Sequence, residues 1–452
     1  MELEKNIHVN EWVDNLKFNR FHAILMILTG LSLFFDGFDS QIIAYIMPQL
    51  IKEWHLTPVV AGSIVSYGFV GLMIGAVGFG MLSDFIGRKK SLMIALSVFT
   101  LFSGAAYLAP NFNVFVTLRF FAGLGMGGTL PIAITLVSEF APAKIRAKVV
   151  TGMFAGFNLG WAGAGLAAMS IIPKFGWRPV LLVGMIPLLF IPFLGLYLPE
   201  SLRYLGSKKR FGKAIKEINR LERVAGLNPR NWVNENVVQP EPEKKVGISI
   251  LFSRKLILMT ILIGLTYFFA FLCNYGLSSW LPTLLVQKGF TLTKSYSYGI
   301  VQAVGASAGG FLLGYLMDKF GRKKGLIFSF LVGGISVWMF GFVSSNAFLL
   351  FLGVLTGAFI MGAPIAMHVI CGEIYPTHAR ATGVGFALTV GRLGSILGPI
   401  LGGVLLTMGF SFSQYFLIFA IPAFVAAVLV MLYRTDAKGE SLENINTQTI
   451  SH

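Results

Sequence analysis

Two carboxylates stand where a hydrocarbon interior should hold none. Asp36 and Asp39 lie in Phe34-Phe35-Asp36-Gly37-Phe38-Asp39, inside an apolar run from about 22 to 47. Three residues apart, they share one face of a helix. An ionisable side chain at that depth costs about 2.5–3.5 kcal/mol on insertion scales and marks a functional site by default. Arg119 and Arg392 fall inside two further apolar runs. A buried carboxylate near an arginine can load and release a proton, because burial favours its neutral form and the arginine its charged form. A guanidinium stays charged and can hold a carboxylate through two parallel hydrogen bonds. Together these residue types suggest coupled movement of a proton and an anion. The same residues are also compatible with a static Asp–Arg pair, and with an arginine held by a glutamate or a backbone carbonyl.

The chain around them is built for a bilayer. Of its 452 residues 55% are hydrophobic and 12% charged, against about 25% charged in soluble domains. Phe (41) and Gly (52) are plentiful, as expected where rings face lipid and small residues let helices touch. The net charge of +16 raises the question of nucleic acid, which the distribution of the cations answers. Cys273 and Cys371 sit in apolar runs and read as packing residues. The first twenty residues are polar and mixed in charge, so the first helix is expected to act as its own insertion signal.

The runs predict an all-α membrane protein with twelve transmembrane helices. They fall near 21–48, 58–82, 91–109, 113–138, 148–171 and 177–198, then near 256–284, 295–318, 325–343, 348–370, 380–407 and 411–433. This gives a tail at 1–20, a six-helix bundle at 21–198, a central loop at 199–255, a second bundle at 256–433 and a tail at 434–452. Of the 36 Lys and Arg, five (Lys52, Lys174, Arg178, Lys288 and Lys294) fall in loops on one side, and two lie within spans. The rest share the side of the termini, which makes that side cytoplasmic and accounts for the net charge without nucleic acid. The central loop carries an expected amphipathic helix near 211–224 and is read as a linker; a lipid headgroup contact is the second reading.

The two halves repeat at a constant offset of 234. Gly80-Met81-Leu82-Ser83-Asp84-Phe85-Ile86-Gly87-Arg88-Lys89-Lys90 matches Gly314-Tyr315-Leu316-Met317-Asp318-Lys319-Phe320-Gly321-Arg322-Lys323-Lys324, with seven of eleven positions identical. The same offset relates Glu139 to Glu373 and Arg146 to Arg380. Duplicated halves with a site between them are a transporter architecture. Charges that obey the repeat are expected to be scaffold or gating parts: Asp84, Arg88, Glu139 and Arg146, with Asp318, Arg322, Glu373 and Arg380. They can latch and release the inner end during alternating access, or serve as static caps. Charges that break the repeat are expected to serve one substrate. Asp36 and Asp39 map to Ala270 and Cys273, Arg119 maps to Gly353, and Arg392 maps back to Asn158.

The repeated G-x-L-x-D-x-x-G-R-K-K loop resembles the signature of the major facilitator superfamily, over nearly the whole chain. Asp36-Gly37-Phe38-Asp39 resembles the D-G-[FY]-D motif of the aromatic acid:H⁺ symporter family. Arg119-Phe120-Phe121-Ala122-Gly123-Leu124-Gly125-Met126-Gly127-Gly128, Trp280-Leu281-Pro282 and Gly391-Arg392-Leu393-Gly394 are similar to its pattern. Pro199-Glu200-Ser201-Leu202-Arg203 is similar to the sugar-porter branch, whose closing P-E-T-K-G is replaced by Arg434-Thr435-Asp436-Ala437-Lys438-Gly439.

The resemblance implies two pseudo-symmetric bundles and uptake of an aromatic carboxylate with protons across a bacterial cytoplasmic membrane. Asp36 or Asp39 would carry the proton with Arg119 tuning it, and Arg392 would hold the substrate carboxylate. A slot for the ring draws on Phe34, Phe38, Tyr67, Trp161, Tyr275, Trp280 and Phe386, and Asn158, Asn274 and Gln302 could meet a ring hydroxyl. His368 can relay a proton or simply pack; His378 reads as an exposed loop residue. Gly80, Gly87, Gly314 and Gly321 complete the gating loops. One proton per monoanion moves no net charge, and a second would add about 2.3 kcal/mol per 100 mV. The open alternatives are a carrier of niacin, a muconate-like diacid or a sugar, and a membrane sensor on a transporter fold. No nucleotide loop, metal cluster or nucleophile–base constellation is visible, so no enzyme and no cofactor are expected, and a monomer suffices.

Overall fold

The computed structural model describes residues 8–433, apart from 144, 229, 231, 238–247 and 255. The tail expected at 434–452 lies outside the described residues. Twelve helices among those residues are long and apolar enough to cross a membrane. In chain order the helices of the first half are α1 (Val9–Asn15), α2 (Arg20–Trp54), α3 (Pro58–Ile86), α4 (Arg88–Ala105), α5 (Phe112–Phe140), α6 (Arg146–Phe175), α7 (Arg178–Leu182) and α8 (Pro187–Tyr197). The central segment holds α9 (Leu202–Ser207) and α10 (Phe211–Val224). The second half contains α11 (Ile257–Gln287), α12 (Leu292–Phe320), α13 (Arg322–Phe340), α14 (Asn346–Thr356), α15 (Ala363–Ile374), α16 (Thr377–Thr407) and α17 (Phe412–Met431). The sixth crossing is α7 and α8 joined by a 3₁₀ turn, and the tenth is α14 and α15 joined by a π-helical turn.

The first two crossings run further than their apolar stretches, for local reasons. At the end of α2, Glu53 accepts from the Trp177 indole at 2.6 Å and pairs with Arg178 at 2.7 Å, which holds the polar last turn. At the end of α3, the Ser83 hydroxyl donates to the Gly80 carbonyl at 2.7 Å. The helix stops at Gly87, whose φ of 101° an L side chain rarely adopts; its repeat partner Gly321 has φ 104°. The internal repeat is thus written into the backbone.

The polar N-terminal stretch is more than a tail. Val9, Trp12 and Val13 of α1 are buried, and Trp12 meets Trp232 edge-on at 5.4 Å. The amphipathic helix expected in the central loop is α10, with Ala214, Ile218 and Leu221 on its buried face. Buried Glu222 accepts from the Arg230 backbone N–H and the Trp232 indole, each at 3.1 Å, and so fixes the return of the chain.

The chain divides into two compact units. One comprises Met1–Asp39, Val70–Gly160 and Leu181–Pro242; the other comprises Ser40–Phe69, Trp161–Val180 and Glu243–His452. The division cuts α2 directly after Asp39. It does so because the ends of α2, α3 and α6 remote from the chain termini pack on helices of the second half. Within the second unit, Ser66 donates to the Ile396 carbonyl at 2.6 Å, and Tyr45 stands edge-on to Tyr296 at 5.3 Å.

Candidate functional site

In the first unit the acidic motif meets its arginine. Asp39, Arg119 and Ser103 are all buried. Arg119 donates Nη1–H to Asp39 Oδ1 at 2.9 Å and Nη2–H to Oδ2, a two-pronged pair, while the Ser103 hydroxyl donates to Oδ1. Three helices place these groups: α2 carries Asp39, α4 carries Ser103 and α5 carries Arg119. Gly184, in the turn that breaks the sixth crossing, lies beside Ser103 and Asp39 Oδ1. On the other face of the motif, Gly37 backs onto the Phe157 carbonyl of α6, and Gly160 backs onto the Phe34 carbonyl. No side chain fits either position, so α2 and α6 touch backbone to backbone and hold the motif's register. Asp36 is buried on the same helix.

Ser103 and Gly184 were not among the expected site residues. The repeat contained a signal for the first, since Ser103 maps to Val337. A sorting by polarity, not charge alone, would have found it.

The second unit holds a ladder of rings on one face of α11. Tyr267 and Phe271 lie 5.8 Å apart, as do Phe271 and Tyr275. They recur every four residues and so stack along the helix. Phe69 meets Tyr275 at 4.5 Å and Trp161 meets it at 6.2 Å. The Arg392 guanidinium sits 5.7 Å from the centre of the middle ring, Phe271, and at the other end His368 stands edge-on to Tyr267 at 5.6 Å. Arg392 has no carboxylate or carbonyl acceptor among the described residues. Buried Asn274, next to Tyr275, presents an Oδ1 with no hydrogen-bond partner there, and Gln302 of α12 is also buried. The arrangement offers a cation, flat apolar walls and an amide, which is what an aromatic carboxylate would need.

The other expected ring-slot residues have surroundings of their own. Tyr67 is 48% exposed. Ser66 and Phe69, three apart, define the packed face of α3, and Tyr67 falls off it. Phe38 is buried against Phe35, and Asn158 is half-buried in α6; both belong to the first unit. Trp280 is fully buried and gives its indole N–H to the Pro399 carbonyl at 2.8 Å, so it braces α11 against α16. Phe386 packs edge-on to Phe252.

The repeated charges cluster at the helix ends nearest the chain termini. In the first unit Asp84 pairs with Arg88 at 2.8 Å, and Glu139 accepts from the Ser201 hydroxyl. Glu200 accepts the Arg88 backbone N–H at 2.7 Å and that of Lys89 at 3.2 Å. Burial pushes the Glu200 carboxyl above the usual carboxylate range, against the pull of those N–H groups. In the second unit Arg322 bridges Asp318 and Glu373, its Nε 3.3 Å from the latter. Arg146 reaches Asp14 of α1 at 2.5 Å, and its counterpart Arg380 is half-buried in α16. Gly80 and Gly314 face open space, so close packing does not demand them.

Comparison with known proteins places this geometry. Residues 22–448 match the family model described as "Sugar (and other) transporter". The chain is 33% identical to the niacin transporter NiaP of Acinetobacter baylyi, over 96% of this chain and 98% of that protein. It is 34% identical to the gallate transporter of Pseudomonas putida, covering 94% of each. It is 34% identical to the 4-hydroxybenzoate transporter PcaK of Pseudomonas aeruginosa, over 90% of this chain and 91% of that one. Among solved structures, the inward-open xylose transporter XylE from E. coli superposes with a TM-score of 0.74 at 19% identity, covering 94% of this chain and 99% of that one. A bacterial homologue of the lysosomal transporter Spinster superposes with a TM-score of 0.69 at 16% identity, covering 96% and 99%. At those identities the likeness concerns the fold.

Proposed function

The chain belongs to the sugar (and other) transporter family of the major facilitator superfamily, and from that premise we propose that it imports an aromatic carboxylate together with protons. It is a multi-pass membrane transporter and not an enzyme. The observation that carries the substrate class is Arg392: an intramembrane guanidinium with no carboxylate partner among the described residues, set against the ring ladder of α11. Charged groups at that depth pair with something, and a bound carboxylate supplies the missing partner. A benzoate-sized ring then lies along Phe271 and Tyr275 with Asn274 within reach of a ring substituent. The named relatives carry niacin, gallate and 4-hydroxybenzoate, all ring carboxylates, which supports the same reading.

Asp39 is the proton carrier of this proposal, with Asp36 as the second carboxylate of the motif. The proton enters on Asp39 when Arg119 and Ser103 swing away, and leaves when the pair re-forms. The packed ends of α2, α3 and α6 against α11, α12 and α16 represent the gate closed on the side away from the termini. With the termini cytoplasmic, as the Lys/Arg bias indicates, that is the outer gate. The paired clusters around Arg88 and Arg322 are its inner counterparts in a bacterial cytoplasmic membrane, worked by a single chain.

The test is counterflow by purified protein in proteoliposomes with benzoate, 4-hydroxybenzoate, protocatechuate, 3-hydroxyphenylpropionate, nicotinate, muconate and glucose. Exchange of one or more ring carboxylates is expected. Exchange of glucose or muconate alone would overturn the substrate class.

A further inference from the structure

The N-terminal helix α1 and the central segment enclose a cavity that the transport reading does not use. It measures about 370 Å³ and lies wholly within the first unit, between the end of α1 and the stretch that follows α10. Gly226, with a φ of 70°, turns that stretch back, and the Leu227 N–H closes on the Glu222 carbonyl at 2.8 Å. The Trp12 indole, Leu16 and Leu227 form the walls, and the cations Lys17 and Arg230 stand at the exposed rim. Buried Glu222 commits its carboxylate to the Arg230 backbone N–H and the Trp232 indole, which fixes Arg230 and leaves its guanidinium free. Neither rim cation has an ion-pair partner among the described residues, and among them no carboxylate lines the cavity. The acid at the end of α1, Asp14, is taken by Arg146 at 2.5 Å. Two amides complete the lining. Asn15 gives its Nδ2–H to the Glu11 carbonyl at 3.0 Å, which leaves Oδ1 as an acceptor. Asn19 Oδ1 takes the Phe21 backbone N–H at 3.1 Å, which leaves Nδ2 as a donor.

We propose that this cavity is a second binding site, for a small ring carboxylate, on the side of the chain termini. Two unpaired cations and no lining carboxylate select an anion. The indole and the two leucines favour a flat apolar body over a bare phosphate. A volume at the small end of ligand sites suits one ring and not a nucleotide. The carboxylate meets Lys17 and Arg230, whose guanidinium can hold it through two parallel hydrogen bonds. The ring lies against Trp12, and a ring hydroxyl donates to Asn15 Oδ1. Such a ligand joins α1 to the central segment, so its binding favours the docked arm, in which Asp14 holds Arg146. Because the ligand class is that of the proposed cargo, the site senses the acid delivered to that side. The sensing role rests on the proposed transport, whereas binding in the cavity does not involve Arg392.

The test is equilibrium dialysis of labelled 4-hydroxybenzoate against the purified full chain in neutral detergent. Two molecules per chain are expected, one of them lost in Arg392→Gln. Lys17→Gln and Arg230→Gln change exposed residues, so the fold is kept; each is expected to weaken the other site by about tenfold or more, the worth of one charge-assisted hydrogen bond. Leu227→Trp fills the cavity without removing a charge and is expected to weaken the same site, which general surface attraction does not explain. Inorganic phosphate at equal concentration is expected to leave binding unchanged. A second site unaffected by Lys17→Gln and Arg230→Gln, or emptied by phosphate as readily as by unlabelled 4-hydroxybenzoate, overturns the assignment. A single molecule per chain, lost in Arg392→Gln, also overturns it and leaves the transport reading standing. Two molecules retained in Arg392→Gln, one of them lost in Lys17→Gln, remove the transport anchor and keep this site.

Discussion

Asp39 receives three donated hydrogen bonds, two from Arg119 and one from Ser103, in a fully buried setting. Such a pair is held tightly, and the proposed mechanism loosens it once per cycle. Each donor to the carboxylate is worth about 1.5–3 kcal/mol. Ser103→Ala removes one of these donors and loosens the pair. Gradient-driven uptake of the ring acid is expected to fall about 10-fold or more with the protein still folded; uptake equal to wild type would take Ser103 out of the proton path. For Arg392→Lys the ammonium keeps the charge but loses the two-pronged geometry. Apparent affinity for the ring acid should fall roughly 10–100-fold, the equivalent of one such hydrogen bond. Affinity equal to wild type would move the anchor elsewhere. These residues differ in how far the sequence revealed them. Charge inside an apolar run exposed Asp36, Asp39, Arg119 and Arg392, and their failure to obey the repeat separated them from Asp84 or Arg322. Ser103, Phe69 and Gly184 stayed hidden, because a serine, a phenylalanine and a glycine in a membrane helix look like packing until the facing helix is known.

At the scale of elements, the sequence indicated where helices lie better than which way they face. All twelve crossings and α10 were legible from apolar length and periodicity. The helix α1 was not, because seven residues are too short for a hydrophobic pattern; distant contacts hold it, Trp12 on Trp232 and Asp14 on Arg146 among them. Helix phase puts Phe69, and not Tyr67, against Tyr275. The contacts that close α3 on α16 make a sharper test of alternating access. A Cβ on Gly62 would strike the Pro399 carbonyl, and one on Gly403 would strike the Pro58 carbonyl. Gly62→Val therefore blocks this closed arrangement while leaving the ring ladder and Arg392 intact. Binding of the ring acid is expected to persist with counterflow reduced by at least about tenfold, the result of a gate that is about 1.4 kcal/mol or more harder to close. Wild-type counterflow in Gly62→Val and Gly403→Val would show that this contact is no part of the cycle.

For the whole molecule, the repeat at offset 234 is kept by the scaffold, and the residues that break it are the ones the proposal assigns to one substrate. The symmetric parts, Gly87 with Gly321 and Asp84–Arg88 with Asp318–Arg322, recur with the same backbone turn and the same Asp–Arg pair four residues apart. The halves then diverge: Glu200 and Ser201 join the first cluster, and Cys273 stands where the second half would carry an Asp39, its thiol facing the Phe419 carbonyl. On the proposed reading, one half supplies the proton-carrying acid and the other the cation and rings that hold the aromatic anion. The most direct measurement of that coupling is accumulation of the ring acid in proteoliposomes when an inward proton gradient is the only driving force. The wild type is expected to concentrate the acid above the external level and to lose it when an ionophore collapses the gradient. Asp39→Asn should equilibrate at best. Accumulation by Asp39→Asn and Asp36→Asn to the wild-type level, or wild-type uptake indifferent to the gradient, would contradict the account.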